Sequence, residues 1–220
     1  MKISILVDQP GGWIMPWAQC LAGELAGLGH AVIIVHSQQD LPGGDLSFFL
    51  GCTRIVKEAY LARNPLNVVV HPSDLPRGRG FSSLAWQLLE GRNDIPVCLF
   101  AATPGMDEGP VYLRDVIRLD GGELNDEIKR KQGRTVVDLC LRFVKDFNSL
   151  KPQPQTGEAT FYPRRTALDS RLDPDKTLRE QFQLLRVVDN ERYPAFFVLD
   201  GRTYLFKIEK APAGKLEPGP

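Results

Sequence analysis

Ile3-Ser4-Ile5-Leu6-Val7 and Ala31-Val32-Ile33-Ile34-Val35 are the two runs that decide the fold of this chain. Both are apolar along their length, a pattern typical of strands that are buried on both faces. Between them, residues 16–28 place apolar side chains at helical spacing and stop at Gly29, as a helix C-terminus does. The order strand, helix, strand predicts the first unit of an α/β fold.

The same alternation continues through the first 150 residues. We predict further strands over residues 46–50, 67–70 and 97–101, and further helices over residues 54–63, 82–90 and 124–147. Strands that alternate with helices in this way favour a parallel or mostly parallel sheet with right-handed crossovers. The long last helix, which keeps Val136, Leu139, Cys140 and Phe143 on one face, is expected to close this unit.

A change of composition follows the long helix. Residues 151–160 have the Pro, Gln, Thr and Gly content of an exposed linker. Beyond them we predict a helix over about residues 174–188 and a β-hairpin over residues 196–208 that turns at Asp200-Gly201, and we expect the residues from Ala211 onward to fray. The chain is therefore predicted to divide into a larger α/β domain over residues 1–150, a linker over 151–160 and a small C-terminal α+β domain over 161–220.

Composition excludes several classes of function. The 220 residues have a net charge of zero and a pI of about 6.8, so no overall field favours a nucleic acid or an anionic membrane. The four cysteines lie far apart without Cys-x-x-Cys spacing, which fits reduced thiols and predicts no metal site. The N-terminal apolar run is too short for a signal peptide, and no run reaches membrane-spanning length. We expect a cytoplasmic protein.

One loop holds the residues that are most suited to chemistry. His-Pro-Ser-Asp-Leu-Pro-Arg-Gly-Arg-Gly (71–80) follows a predicted strand, and this layout places the His71 imidazole at the rim of a cleft. Asp107 stands in the turn Met-Asp-Glu-Gly (106–109). A carboxylate beside an imidazole favours the imidazolium and can accept or relay a proton, so either path of the proton is open.

These residues resemble a known family. A His-x-Ser-x-Leu-Pro-x-x-x-Gly loop, followed 36 positions after the His by Asp-x-Gly, is similar to the formyltransferases that use 10-formyl-tetrahydrofolate, among them methionyl-tRNA, glycinamide ribonucleotide and sugar-amine formyltransferases. The match runs without a gap through Trp86, Gly91 and Val97. The resemblance implies a Rossmann-like, mostly parallel sheet with helices on both faces, 10-formyl-tetrahydrofolate as cosubstrate, and His71 and Asp107 as the residues that handle proton transfer.

The resemblance also implies binding residues and shows one departure. For the folate it implies Leu75, Gly80 and Ile55. The family normally places an Asn two residues before the His, where this chain has Val69, and we consider Asn67, two residues further back, as a substitute for the oxyanion-stabilising role. For the acceptor substrate we name Ser73 of the loop, Arg77, and Trp13, which follows the first strand and can stack on a sugar or a base.

The C-terminal part resembles one branch of the family. Arg-Arg-Thr (164–166), with Asp169 and Leu172-Asp173 after it, is similar to the segment that follows the catalytic domain in tRNA and sugar enzymes, and residues 184–197 resemble the sugar-amine branch. The resemblance implies an N-formyltransferase that acts on a nucleotide-linked or sialic-acid-like amino sugar for surface glycans. A glycinamide ribonucleotide or methionyl-tRNA formyltransferase is the alternative among enzymes. A non-catalytic folate-binding or interaction module, degraded at Val69, is the alternative outside them. The sequence leaves the oligomeric state open, with a homodimer as one option.

Overall fold

A six-stranded sheet forms the centre of the computed structural model, which describes residues 1–212. The strands of the protein are β1 Lys2–Leu6, β2 Ala31–Val35, β3 Leu46–Phe49, β4 Leu66–His71, β5 Arg79–Gly80, β6 Asp94–Ala101, β7 Val111–Arg118, β8 Phe161–Tyr162, β9 Ala195–Leu199 and β10 Arg202–Phe206. The central sheet has the order β2-β1-β3-β4-β6-β7. Only β6 runs antiparallel to its neighbours, so the expectation of a mostly parallel sheet is confirmed.

Helices cover this sheet on both faces. They are α1 Met15–Gly27, α2 Glu58–Leu61, α3 Ser83–Leu89, α4 Asn125–Asp146 and α5 Phe182–Val187, with short 3₁₀ turns at Gln38–Asp40, Phe147–Ser149 and Ala167–Ser170. Residues of α1, α3 and α4 share one large core with the sheet. On the opposite face, Tyr60 and Leu61 of α2 pack against Leu6 and Phe49. The predicted helices over 16–28, 82–90 and 124–147 correspond to α1, α3 and α4.

The first unit shows why the sequence folds this way. Ile3 and Ile5 of β1 and Leu21 and Leu25 of α1 are fully or almost fully buried in the same core, since the apolar spacing of two in the strand and of three to four in the helix brings both sets to one interface. Helices α1 and α4 then meet closely. A Cβ on Gly133 would lie 2.3 Å from the indole of Trp17, so this crossing requires glycine.

Two predicted helices are shorter in the structure. The helix expected over 54–63 is only α2, because the carboxylate of Asp8 accepts hydrogen bonds from the backbone N–H groups of Thr53 and Arg54 and holds that segment extended. The helix expected over 174–188 is only α5. Here the Gln181 side chain bonds both the N–H and the C=O of Asp173 and stabilises a turn instead.

The C-terminal part contains the predicted hairpin. Strands β9 and β10 pair antiparallel around Asp200-Gly201, and both turn residues have positive φ (49° and 73°), as this two-residue turn requires. The strand β7, which we did not predict, completes the central sheet at its edge.

The division into 1–150, 151–160 and 161–220 stays a prediction. Residues 213–220, where fraying was expected, lie outside the described part of the chain.

Candidate active site

A cavity of about 490 Å³ lies where the parallel strands end. Its lining includes Trp13 after β1, Leu50 after β3 and His71 at the end of β4. Ligands in open α/β sheets bind at the carboxyl ends of the strands, and volumes of roughly 300–1,000 Å³ are usual for small-molecule sites. The position and size of the cavity therefore fit a binding site for small molecules.

The His71 side chain is held by the loop that follows it. Its Nε2 lies 2.8 Å from the carbonyl oxygen of Gly78, and the residue is 8% exposed. Because a carbonyl only accepts hydrogen bonds, this contact assigns a proton to Nε2. Within residues 1–212, Nδ1 has no hydrogen-bonding partner.

Asp107 approaches the imidazole from the turn after β6. Its Oδ2 lies 3.8 Å from His71 Nε2 and accepts a hydrogen bond of 2.8 Å from the N–H of Gly80. Asp107 has a φ of 52°, an uncommon value for a residue other than glycine. Such backbone strain is typical of functional sites. The structure thus brings together the two residues that sequence reasoning singled out.

Asn67 does not join this pair. Its side-chain amide donates to the carbonyl oxygens of Leu61 and Asn64, at 2.9 and 3.0 Å. These bonds connect β4 to the C-terminus of α2 and to the residues that follow it. The hypothesis that Asn67 replaces the missing donor is therefore not supported by the geometry. Val69, on the same strand face as His71, lines the cavity instead. The wall beside the imidazole is apolar.

The remaining predicted binding residues divide into two groups. Gly80, Ile55 and Trp13 line the cavity. Leu75 and Ser73 are each 1% exposed and lie beneath it, outside the lining, since Leu75 packs with Cys98 and Phe100 in a small core. The exposed Arg77 is also outside the lining.

The part of the cavity near β3 is apolar. Its lining residues include Leu50, Cys52, Ile55, Val56, Leu61, Val69 and Phe100. Burial, aided by the charge of Asp8, raises the pKa of the Cys52 thiol to about 12. Cys52 is thus a neutral thiol near pH 7, and thiolate chemistry is excluded there.

The opposite part of the cavity is polar and was missed by sequence reasoning. It is lined by side chains of α4 and of the C-terminal segment, among them Asn125, Lys129, Gln132, Arg164, Arg165, Asp189 and Arg192. Lys129 of α4 and Asp189 of the C-terminal segment form an ion pair of 2.8 Å. The guanidinium of Arg164 lies 4.2 Å above the ring of Phe81. The available signal was the spacing 125, 129, 132 on one helix face together with the adjacent arginines 164 and 165.

Across residues 1–212, no three His, Cys, Asp or Glu side chains are grouped so as to hold a metal ion. In the same range no helix combines the length and the apolarity that a membrane crossing requires.

Comparison with known proteins assigns the central part of the chain to a family. Residues 34–137 match the family described as formyl transferase. A methionyl-tRNA formyltransferase from Leifsonia xyli is 31% identical over 157 residues, which are 69% of this chain and 51% of the relative. One from Thermodesulfovibrio yellowstonii is 26% identical over 142 residues, 64% of this chain and 46% of the relative. The chain spans about half the length of these curated relatives.

Solved structures share the fold over almost the whole chain. A methionyl-tRNA formyltransferase from Clostridium thermocellum has a TM-score of 0.81 at 23% identity, covering 98% of this chain and 95% of its own. HypX from Aquifex aeolicus in complex with tetrahydrofolic acid has a TM-score of 0.78 at 21% identity, covering 94% and 37%. A sugar N-formyltransferase from a Shewanella species has a TM-score of 0.69 at 15% identity, covering 97% and 99%. At these identities the similarity establishes the fold.

Proposed function

Since the chain contains a formyl transferase domain, we propose that it transfers the formyl group of 10-formyl-tetrahydrofolate to the amine of a nucleotide-linked or sialic-acid-like amino sugar. The observation that carries the proposal is the His71–Asp107 pair, 3.8 Å apart, at the wall of a single cavity. The tetrahydrofolic acid bound by the structurally similar HypX supports the choice of cosubstrate.

The chemistry requires a proton to change place. The neutral amine attacks the formyl carbon, the bond between that carbon and N10 of the folate breaks, the amine loses one proton and N10 gains one. Positioned acids and bases contribute roughly 100- to 10,000-fold to such steps. His71, with Nδ1 free of partners within residues 1–212 and Nε2 facing Asp107 and Gly78, is placed to move that proton.

The two parts of the cavity suit the two substrates. The apolar part beside Ile55 and Val69 fits the flat ring system of a folate. The polar part contains three arginines, Arg164, Arg165 and Arg192, and none of them forms an ion pair with a carboxylate within residues 1–212. The acidic side chains in the lining are Asp107 and Asp189. An acceptor with anionic groups, such as a phosphate or a carboxylate, is favoured there.

The relatives that match by sequence are named for methionyl-tRNA, which supports tRNA as an alternative acceptor. Against it stands a net charge of zero. Glycinamide ribonucleotide, which offers a phosphate as well, is the remaining acceptor of the family.

A second candidate function is folate binding without catalysis. It is favoured by the apolar wall at Val69 and by Asn67, whose amide is bonded elsewhere. Loss of one oxyanion donor typically costs roughly 100- to 1,000-fold in rate, which slows an enzyme without abolishing it.

The experiment that tests the proposal is an acceptor panel. Purified protein is mixed with 10-formyl-tetrahydrofolate and with nucleotide-linked amino sugars, unlinked amino sugars, glycinamide ribonucleotide or methionyl-tRNA, and tetrahydrofolate release is followed. We expect turnover with an amino sugar. Turnover with methionyl-tRNA alone, weakening steeply with salt, would establish the tRNA alternative. Folate binding without turnover on any amine would establish the non-catalytic one.

A further inference from the structure

The segment predicted as an exposed linker makes specific hydrogen bonds to the loops that hold the His71–Asp107 pair. Gln153 pairs through its backbone with Val111, and β8, directly after the linker, pairs with β5. Two side chains between these points, Gln155 and Thr160, contact the loops on which His71 and Asp107 depend. Each contact is between residues far apart in sequence, so local sequence patterns give no sign of it.

Gln155 uses all of its polar atoms at the Asp107 turn. Its Nε2 donates to the carbonyl oxygens of Asp107 and Gly109, both at 2.8 Å. Its Oε1 accepts from the Arg79 guanidinium at 2.7 Å. The Gln155 amide therefore connects the two backbone carbonyls of this turn to Arg79. The next residue, Gly80, donates its N–H to the Asp107 carboxylate.

The Asp107 turn needs such support. A residue other than glycine at a φ of 52° is strained and persists where its surroundings fix it. Gly109 is packed so tightly that a Cβ there would lie 1.7 Å from the carbonyl oxygen of Ala101. One end of the turn is confined in this way, and the two hydrogen bonds from Gln155 hold the backbone of Asp107 and Gly109.

Thr160 provides the matching support on the other side. Its hydroxyl oxygen accepts from the N–H of Gly78 at 2.9 Å, and its carbonyl accepts from the N–H of Arg79 at 2.9 Å. The carbonyl of Gly78 in turn accepts from His71. One short segment thus holds the partners of both members of the pair.

We propose that Gln155 is a positioning residue for formyl transfer, which sets the distance of the Asp107 carboxylate from the His71 imidazole, with Thr160 fixing the Gly78 carbonyl. The proposal rests on the proposed function, because it assigns Gln155 a role in that reaction. The Gln155 side chain lies outside the cavity lining. It acts through the backbone of the turn.

The test compares two substitutions in the same segment. In Gln155→Glu the shape is kept and the bond to Arg79 can form, but an oxygen replaces the donor that faces two carbonyl oxygens. Gln153→Glu is the matched control, since the exposed Gln153 side chain donates only to Lys151 at 3.3 Å. We expect Q155E to lower kcat by about 10- to 100-fold with both KM values within about threefold, because small misplacements of catalytic groups have effects of that size. Q153E should equal the wild type.

A second readout does not depend on activity. Hydrogen exchange of the Gly80 amide, measured by NMR, reports on its bond to Asp107, and it should be faster in Q155E than in Q153E. If Q155E does not fold, Gln155→Met, of similar volume, takes its place. Unchanged kcat and unchanged Gly80 exchange would overturn the proposal, as would a general loss of stability with raised KM values. If the wild type turns over no amine, the proposed function fails, while Gly80 exchange still decides whether Gln155 positions Asp107.

Discussion

Val69 and His71 lie two residues apart on β4, and both side chains line the same cavity. Alternate residues of a strand face one side, so an aliphatic side chain borders the imidazole at the point where the family normally has an amide. In the proposed formyl transfer, the oxyanion would therefore lack the side-chain donor that this strand position can supply.

Substitution of Val69 by asparagine should restore that donor. Because one oxyanion donor is worth roughly 100- to 1,000-fold in rate, we expect V69N to raise kcat by about tenfold or more. The half-buried amide should also lower the free energy of unfolding by about 1–3 kcal/mol. Steady-state kinetics and urea unfolding measure the two effects.

Val69→Leu is the control for changes of shape alone. If V69N and V69L give the same kcat, the rate is not limited by a missing donor, and other groups of the cavity stabilise the oxyanion.

Asn67 should matter for stability and not for chemistry. Its amide donates to Leu61 and Asn64, so N67A removes two hydrogen bonds, and we expect a loss of about 1–3 kcal/mol in the free energy of unfolding. The kcat of the folded fraction should stay within about twofold of the wild type. A large fall in kcat without a loss of stability would return Asn67 to the catalytic site.

Arg164 should contribute to binding of the acceptor. Its guanidinium lies over Phe81 at the polar part of the cavity, where it can meet an anionic group. A hydrogen bond to a charged group is worth about 1.5–3 kcal/mol, so R164A should raise the acceptor KM by about 10- to 100-fold. The KM of the folate should remain unchanged.

Arg77, exposed and outside the cavity, provides the matched control. R77A should leave both KM values unchanged. A rise in the folate KM alone in R164A would instead place the carboxylates of the folate tail at Arg164.

The buried pair of Glu123 and Arg186 predicts loss of stability in acid. Burial alone would raise the pKa of Glu123, but the hydrogen bonds from Lys131 and from the backbone outweigh it and lower that pKa to about 2, from an ordinary value of 4.5. A carboxylate with a lowered pKa stabilises the folded state above about pH 4.5, and this contribution is lost as the pH falls toward about 2. In E123Q the acid-dependent loss in this range should be smaller.

At about pH 7, E123Q should lower the free energy of unfolding by about 3–5 kcal/mol, because it leaves the fully buried Arg186 without a carboxylate to balance its charge. Glu191→Gln, which breaks the exposed pair with Lys207, should leave the free energy of unfolding almost unchanged, because solvent screens exposed ion pairs. Urea unfolding at several pH values measures both. Equal losses in the two variants would contradict the account of the buried pair.

The sequence predicted those parts of the fold that depend on local pattern. The runs at β1 and β2, the helix α4 and the turn at Asp200-Gly201 follow from spacing and turn chemistry. The short helices α2 and α5 could not be predicted, since side chains of Asp8 and Gln181 bond the backbone there. The strand β7, along which buried and more exposed residues alternate at its start, was not predicted.

In the site, the motif pointed to His71 and Asp107, and Gly80, which the resemblance implied for folate binding, lies in the cavity lining. It could not show that the Asn67 amide is bonded to Leu61 and Asn64, because that depends on the conformation of the short connection between α2 and β4. It also could not show that Leu75 faces the core, because that depends on packing against Cys98 and Phe100, which are distant in the sequence. The contacts of Gln155 have the same origin.

The most direct test of the central claim is turnover by H71A and D107A beside the wild type, with 10-formyl-tetrahydrofolate, the best amino-sugar acceptor and a separate measurement of folate binding. We predict turnover by the wild type and a loss of roughly 100- to 10,000-fold in both variants, with folate binding retained. Wild-type rates in H71A and D107A, or folate binding by a wild type that formylates no amine, would contradict the claim that this pair catalyses formyl transfer.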